Sequence, residues 1–145
     1  MKIEKVICFT AVLLVILSVI ALAIISHNRR VPSIGTVTAV GVDVFWDAGC
    51  TQNVTLIDWG GIDPGETVEK LLYIRNISTG SANLTLFAGD WSPNATADYV
   101  TLTWDYNGSL LSVGEVRPTV FMLTVAGDVV GITNFSFNIT IRTMI

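Results

Sequence analysis

From residue 36 to the C-terminus, apolar positions tend to recur every second residue. This is the strand period, because successive side chains of an extended chain point to opposite faces. Val40, Val42, Val44 and Trp46 share one face of a long first strand predicted over 36–46. Val31-Pro32-Ser33-Ile34-Gly35 before it reads as a linker. Val54 and Leu56 share a face of a second strand, and Val68, Leu72 and Ile74 a face of a third over 67–76. Leu84 and Leu86 do so within 82–88, Val100, Leu102 and Trp104 within 99–104, and Phe121, Leu123 and Val125 within 118–126. The last segment, 133–142, alternates most cleanly. Phe135, Phe137, Ile139 and Ile141 point one way, and Asn134, Ser136, Asn138 and Thr140 the other.

Turn chemistry separates these runs. Asp63-Pro64-Gly65, Ser78-Thr79-Gly80-Ser81, Val113-Gly114-Glu115 and Gly127-Asp128 break the alternation, and a loop with Pro93 is expected over 90–97. Asn107-Gly108 between apolar stretches predicts a hairpin tip. Seven or eight short strands at intervals near ten residues, with no amphipathic helix among them, predict an immunoglobulin-like antiparallel β-sandwich over 31–145.

The first thirty residues follow another pattern. An uncharged apolar run begins at Val6 and ends at Ile25, broken only by Thr10 and Ser18. A helix of about twenty residues spans the roughly 30 Å hydrocarbon core of a bilayer. The run outlasts the h-region of an ordinary signal peptide and contains no Gly or Pro, which favours a retained signal anchor. Ala21-Leu22-Ala23 offers a cleavage site for the alternative, a removed signal peptide. Lys2 and Lys5 balance Arg29 and Arg30, so charge does not set the orientation.

Asparagine usage does. Seven of the eight asparagines open an Asn-x-Ser/Thr triplet, the N-glycosylation acceptor: Asn53, Asn76, Asn83, Asn94, Asn107, Asn134 and Asn138. Chance supplies about one or two. Strand alternation raises that to about three, since i and i+2 share an outward face. Asn94 and Asn107, in loops, escape this explanation. All seven follow the apolar run, which predicts a cytoplasmic N-terminus and an extracellular domain. Charge adds that residues 31–145 hold eleven acids against four bases, a net of −7, which with +3 from residues 1–30 gives the overall −4. An acidic domain argues against nucleic acid and anionic lipid as partners of its surface.

Candidate chemistry is sparse. The single histidine, His27, stands beside the apolar run, so the domain cannot assemble a Ser-His-Asp or Cys-His group. Cys50 is its only cysteine, which excludes a disulfide framework and a multi-thiolate zinc site. Asp43 and Asp47, or Asp58, Asp63 and Glu66, are carboxylates that could meet calcium, but their spacing fits no EF-hand loop and solvated strand ends explain them. Trp46, Trp59, Trp91 and Trp104 fit core or edge positions better than a sugar-binding platform. No enzyme activity, cofactor or metal is expected.

Several stretches together carry a likeness. They are Pro32-Ser33-Ile34-Gly35-Thr36-Val37, Gly41-Val42-Asp43-Val44-Phe45-Trp46-Asp47 with Cys50-Thr51, Ile57-Asp58-Trp59-Gly60 and Asp63-Pro64-Gly65-Glu66-Thr67. Tyr73-Ile74-Arg75-Asn76, Trp104-Asp105-Tyr106-Asn107-Gly108 and Gly131-Ile132-Thr133-Asn134-Phe135-Ser136-Phe137 complete the set. In these the chain resembles a group of short archaeal surface proteins with one N-terminal membrane segment and one β-sandwich. Its layout is distantly similar to pilus and matrix-fibre subunits of the TasA and bundling-pilus type. That second resemblance implies assembly by strand exchange, with Val40, Val42, Val44 and Trp46 as inserted side chains. Two functions are therefore expected to compete: an anchored, non-enzymatic surface module that contacts envelope proteins or glycans, and a secreted fibre subunit released near Ala23. A homo-oligomer fits either.

Overall fold

A computed structural model describes residues 30–144. The apolar run ending at Ile25 lies outside them. Eight strands follow in order: β1 (Val31–Val40), β2 (Val42–Phe45), β3 (Leu56–Ile62), β4 (Thr67–Asn76), β5 (Asn83–Ser92), β6 (Val100–Trp104), β7 (Val116–Val125) and β8 (Phe135–Met144). They form two four-stranded sheets, β3-β1-β8-β5 and β2-β4-β7-β6. The sheets pack as an all-β sandwich. Ile57, Trp59, Phe137, Ile139 and Ile141 of the first face Leu72, Ile74, Phe121 and Leu123 of the second across one core. Burying each such side chain is worth about 2 kcal/mol, which makes this layer the main favourable term.

The N-terminal strand differs from expectation. The supposed linker is the start of β1, which pairs antiparallel with β3 and parallel with β8. The supposed single strand over 36–46 breaks at Gly41, where φ is +75°. A Cβ there would lie 2.2 Å from Thr143 Oγ1, so only glycine fits. The chain then crosses to the other sheet and continues as β2 beside β4. Val40, Val42, Val44 and Trp46 therefore do not form one face. Val42 and Val44 are buried, whereas Val40 and Trp46 are exposed. Period two cannot reveal a sheet change, because alternation survives on both sides of the break.

Three further features differ from expectation. In the second strand, Ile57, Trp59 and Ile62 are buried while Leu56 faces solvent. The predicted loop at 90–97 is partly strand, as β5 runs to Ser92 before a 3-10 turn over Asn94–Asp98. Asn107-Gly108 is no tight hairpin. It lies in the long connection between β6 and β7, held by a bridge between Ala82 and Leu111.

Candidate functional site

The acceptor triplets are the feature with chemical content, and the fold sorts them. Asn83 and Asn138 lie on the outer face of the first sheet, and Asn134 immediately precedes β8. Asn53, Asn94 and Asn107 lie in connections. All six are exposed. On the same outer face, Asn138 pairs in register with Thr36, and Thr140 with Thr38 and Phe87. This face is nearly uncharged. Arg142, set over the Phe87 ring at 5.8 Å, Asp58 and Asp90 are its exceptions.

Asn76 differs from the other six acceptors in being buried. It ends β4 and is 1% exposed. Its Nδ2 donates to the carbonyls of Gly80 (2.9 Å) and Leu111 (2.8 Å), and its Oδ1 accepts from the Ser78 N–H and hydroxyl at 2.9 and 2.6 Å. Both amide hydrogens are used, and no sugar fits in the folded domain. This triplet is a structural knot that ties the turn after β4 to the β6–β7 connection. Its signal in the sequence was the Ser-Thr-Gly-Ser turn following it.

Elsewhere the triplets keep looser partners. Asn107 Oδ1 accepts from the Ser109 N–H at 3.0 Å, and the Ser109 hydroxyl meets the Arg117 guanidinium. Asn138 Nδ2 donates to Asp90 at 2.8 Å. Thr85 Oγ1 reaches the Arg142 carbonyl at 3.4 Å. In the Asn94 triplet, Thr96 is 0% exposed and its hydroxyl has no partner.

Three of the five carboxylates considered for calcium have other duties. Asp43 pairs with Arg75 at 2.9 Å, and the Arg75 guanidinium lies over the Phe45 ring. Asp47 closes the loop after β2 by accepting from the Gln52 N–H, the Thr51 N–H and the Thr51 hydroxyl. Desolvation raises the Asp47 pKa, but these hydrogen bonds outweigh it and hold the carboxyl below its ordinary range. Asp58 accepts from the Gly60 N–H at 2.8 Å. Glu115 is likewise held low, first by the Ser112 N–H and then by Arg117. Among the described residues no three His, Cys, Asp or Glu side chains gather as a metal site. Cys50 is half-buried, in a left-handed turn position, and forms no disulfide among those residues.

Two open grooves lie on the described surface. One, of about 580 Å³, separates the free edges of β5 and β6 and is lined by Leu86, Phe87, Leu102, Trp104 and Tyr106 among others. Tyr106 is its one titratable group, and that hydroxyl already donates to the Ser109 carbonyl at 2.6 Å. The other, of about 370 Å³, is polar, with Asp105, Asn107, Arg117 and Thr119 in its wall. Of the tryptophans, Trp59 is in the core, Trp91 stacks on Phe137 at 4.4 Å, Trp104 meets Phe121 edge-on, and Trp46 is exposed. The chain matches no protein-family model and no curated protein.

Proposed function

We propose that this chain is a non-enzymatic, N-glycosylated cell-surface module. It is an immunoglobulin-type sandwich held to the membrane by a helix from Val6 to Ile25, with a cytoplasmic N-terminus and the domain outside. Its partners are other envelope proteins or glycans, a second copy included. The observation that carries this reading is the set of six exposed acceptor asparagines. Beside them on the first sheet, Thr36, Thr38, Ser136 and Thr140 stand where Lys and Glu usually provide solubility. A sugar coat supplies that solubility instead. Intact-mass analysis of the native protein is the test. Added hexose-scale masses are expected, and a bare polypeptide mass overturns the reading.

A second reading is supported by β1. This strand is the first after the apolar run and sits between β3 and β8 with Ser33 and Gly35 turned inward. A Cβ on Gly35 would lie 2.9 Å from Ile139 Cδ1, so the strand is a thin strip over a core built by its neighbours. A strip of this kind suits strand exchange between copies, with Val31–Val40 rather than the Val42 and Val44 segment as the exchanged unit. N-terminal sequencing of the mature protein separates the two. Cleavage near Ala23 favours the fibre, and an intact N-terminus favours the anchored module.

A further inference from the structure

The Asn94 triplet contains a hydroxyl for which the folded domain has no use. Thr96 is fully buried in the 3-10 turn, and its Oγ1 has no hydrogen-bond partner. A buried, unsatisfied hydroxyl costs about 1–3 kcal/mol relative to a paired one. Valine has nearly the same shape and would avoid that cost. Thr119 is also buried with an unpartnered hydroxyl, but it borders the polar groove where water has room beside it. Thr96 lines neither groove. The hydroxyls of Ser78 and Ser109, by contrast, have folded-state partners.

We infer that Asn94 is glycosylated before the domain closes, and that the Thr96 hydroxyl serves the modifying enzyme on the unfolded chain rather than the fold. The inference rests on the surface-glycoprotein reading above. It adds the order of events at one site. In the transfer, Asn94 Nδ2 bonds to the anomeric carbon of a lipid-phosphate-linked sugar. The carbon–oxygen bond to phosphate breaks, phosphate leaves with the electron pair, and one Nδ2 proton passes to a base of the transferase. Recognition requires the hydroxyl two residues on, which is accessible only while 94–98 is unfolded. Folding then buries Thr96 and leaves Asn94 and its sugar outside.

Two measurements test this. In native full-length protein, site-resolved mass spectrometry is expected to find sugar on Asn94. Thr96→Ser keeps it, and Thr96→Val loses it while melting at the same temperature or higher. The second uses unmodified full-length chain from a host without the transferase, given purified transferase and lipid-linked sugar. Folded chain is expected to be modified at Asn53, where both Asn53 and Thr55 are exposed, but not at Asn94. Urea-unfolded chain diluted into the reaction is modified at both. Modification of Asn94 in the folded chain overturns the inference. So does sugar elsewhere with Asn94 bare in native protein, or a melting temperature lowered by several degrees in Thr96→Val. Absence of sugar at every site is a different failure, that of the surface-glycoprotein reading itself.

Discussion

At the scale of single residues, identical triplets have opposite roles. Asn76 saturates its side chain with four hydrogen bonds in a buried site, whereas six other acceptors face solvent. Asn76→Ala removes all four bonds, while the Gly80 and Leu111 carbonyls keep the Ser78 hydroxyl and the Ala82 N–H as donors, and each lost bond is worth about 0.5–1.5 kcal/mol. A loss of about 3 kcal/mol is expected in chemical denaturation, and peptide mapping should find Asn76 unmodified in native protein. Asn138→Ala, which removes a bond to exposed Asp90, is expected to change stability by less than about 1 kcal/mol.

At the scale of elements, Gly41 decides how the N-terminal segment is divided between the sheets. Gly41→Val meets both the positive φ and the Thr143 side chain. The expected cost is about 2–4 kcal/mol, with a cooperative unfolding midpoint at correspondingly lower denaturant. The loop after β2 and the turn before β7 depend on ionised carboxylates. Asp47 and Glu115 both have pKa values lowered on folding. The sign follows from linkage: their contribution is complete above the unfolded values of about 4 and is lost as pH falls through the lower folded ones. Melting temperature should therefore drop below about pH 4. In Asp47→Asn with Glu115→Gln the drop should be shallower, and an unchanged acid slope would refute these attributions.

At the scale of the whole molecule, the two outer sheet faces differ. The β3-β1-β8-β5 face carries Asn83 and Asn138, while the β2-β4-β7-β6 face carries no exposed acceptor and presents Leu71, Tyr73, Val120 and Met122. Two methionines report on the difference. Met144 pairs with Asn83 on the first face, and Met122 pairs with Glu69 and Thr103 on the second. If sugar shields the first face alone, enzymatic deglycosylation raises the peroxide oxidation rate of Met144 several-fold and leaves that of Met122 unchanged. Equal acceleration at both would show that the coat is not one-sided.

Much of this was legible in the chain itself. Alternation from β4 to β8 named the buried residues Leu72, Ile74, Phe121, Leu123, Phe137 and Ile139, because a pleated strand fixes which neighbours share a face. The triplets named the candidate sites. What alternation lacks is any record of partner: it reads the same on either sheet, so the switch at Gly41 and the parallel pairing of β1 with β8 emerged only in three dimensions. Local triplets likewise carry no depth. That Asn76 is enclosed, and that Thr96 is buried while Asn94 is not, depends on contacts with residues far along the chain such as Leu111. Strand alternation and the position of each triplet are local properties and were set by sequence alone. Sheet membership and burial are sums over distant neighbours, so only the tertiary structure decided them.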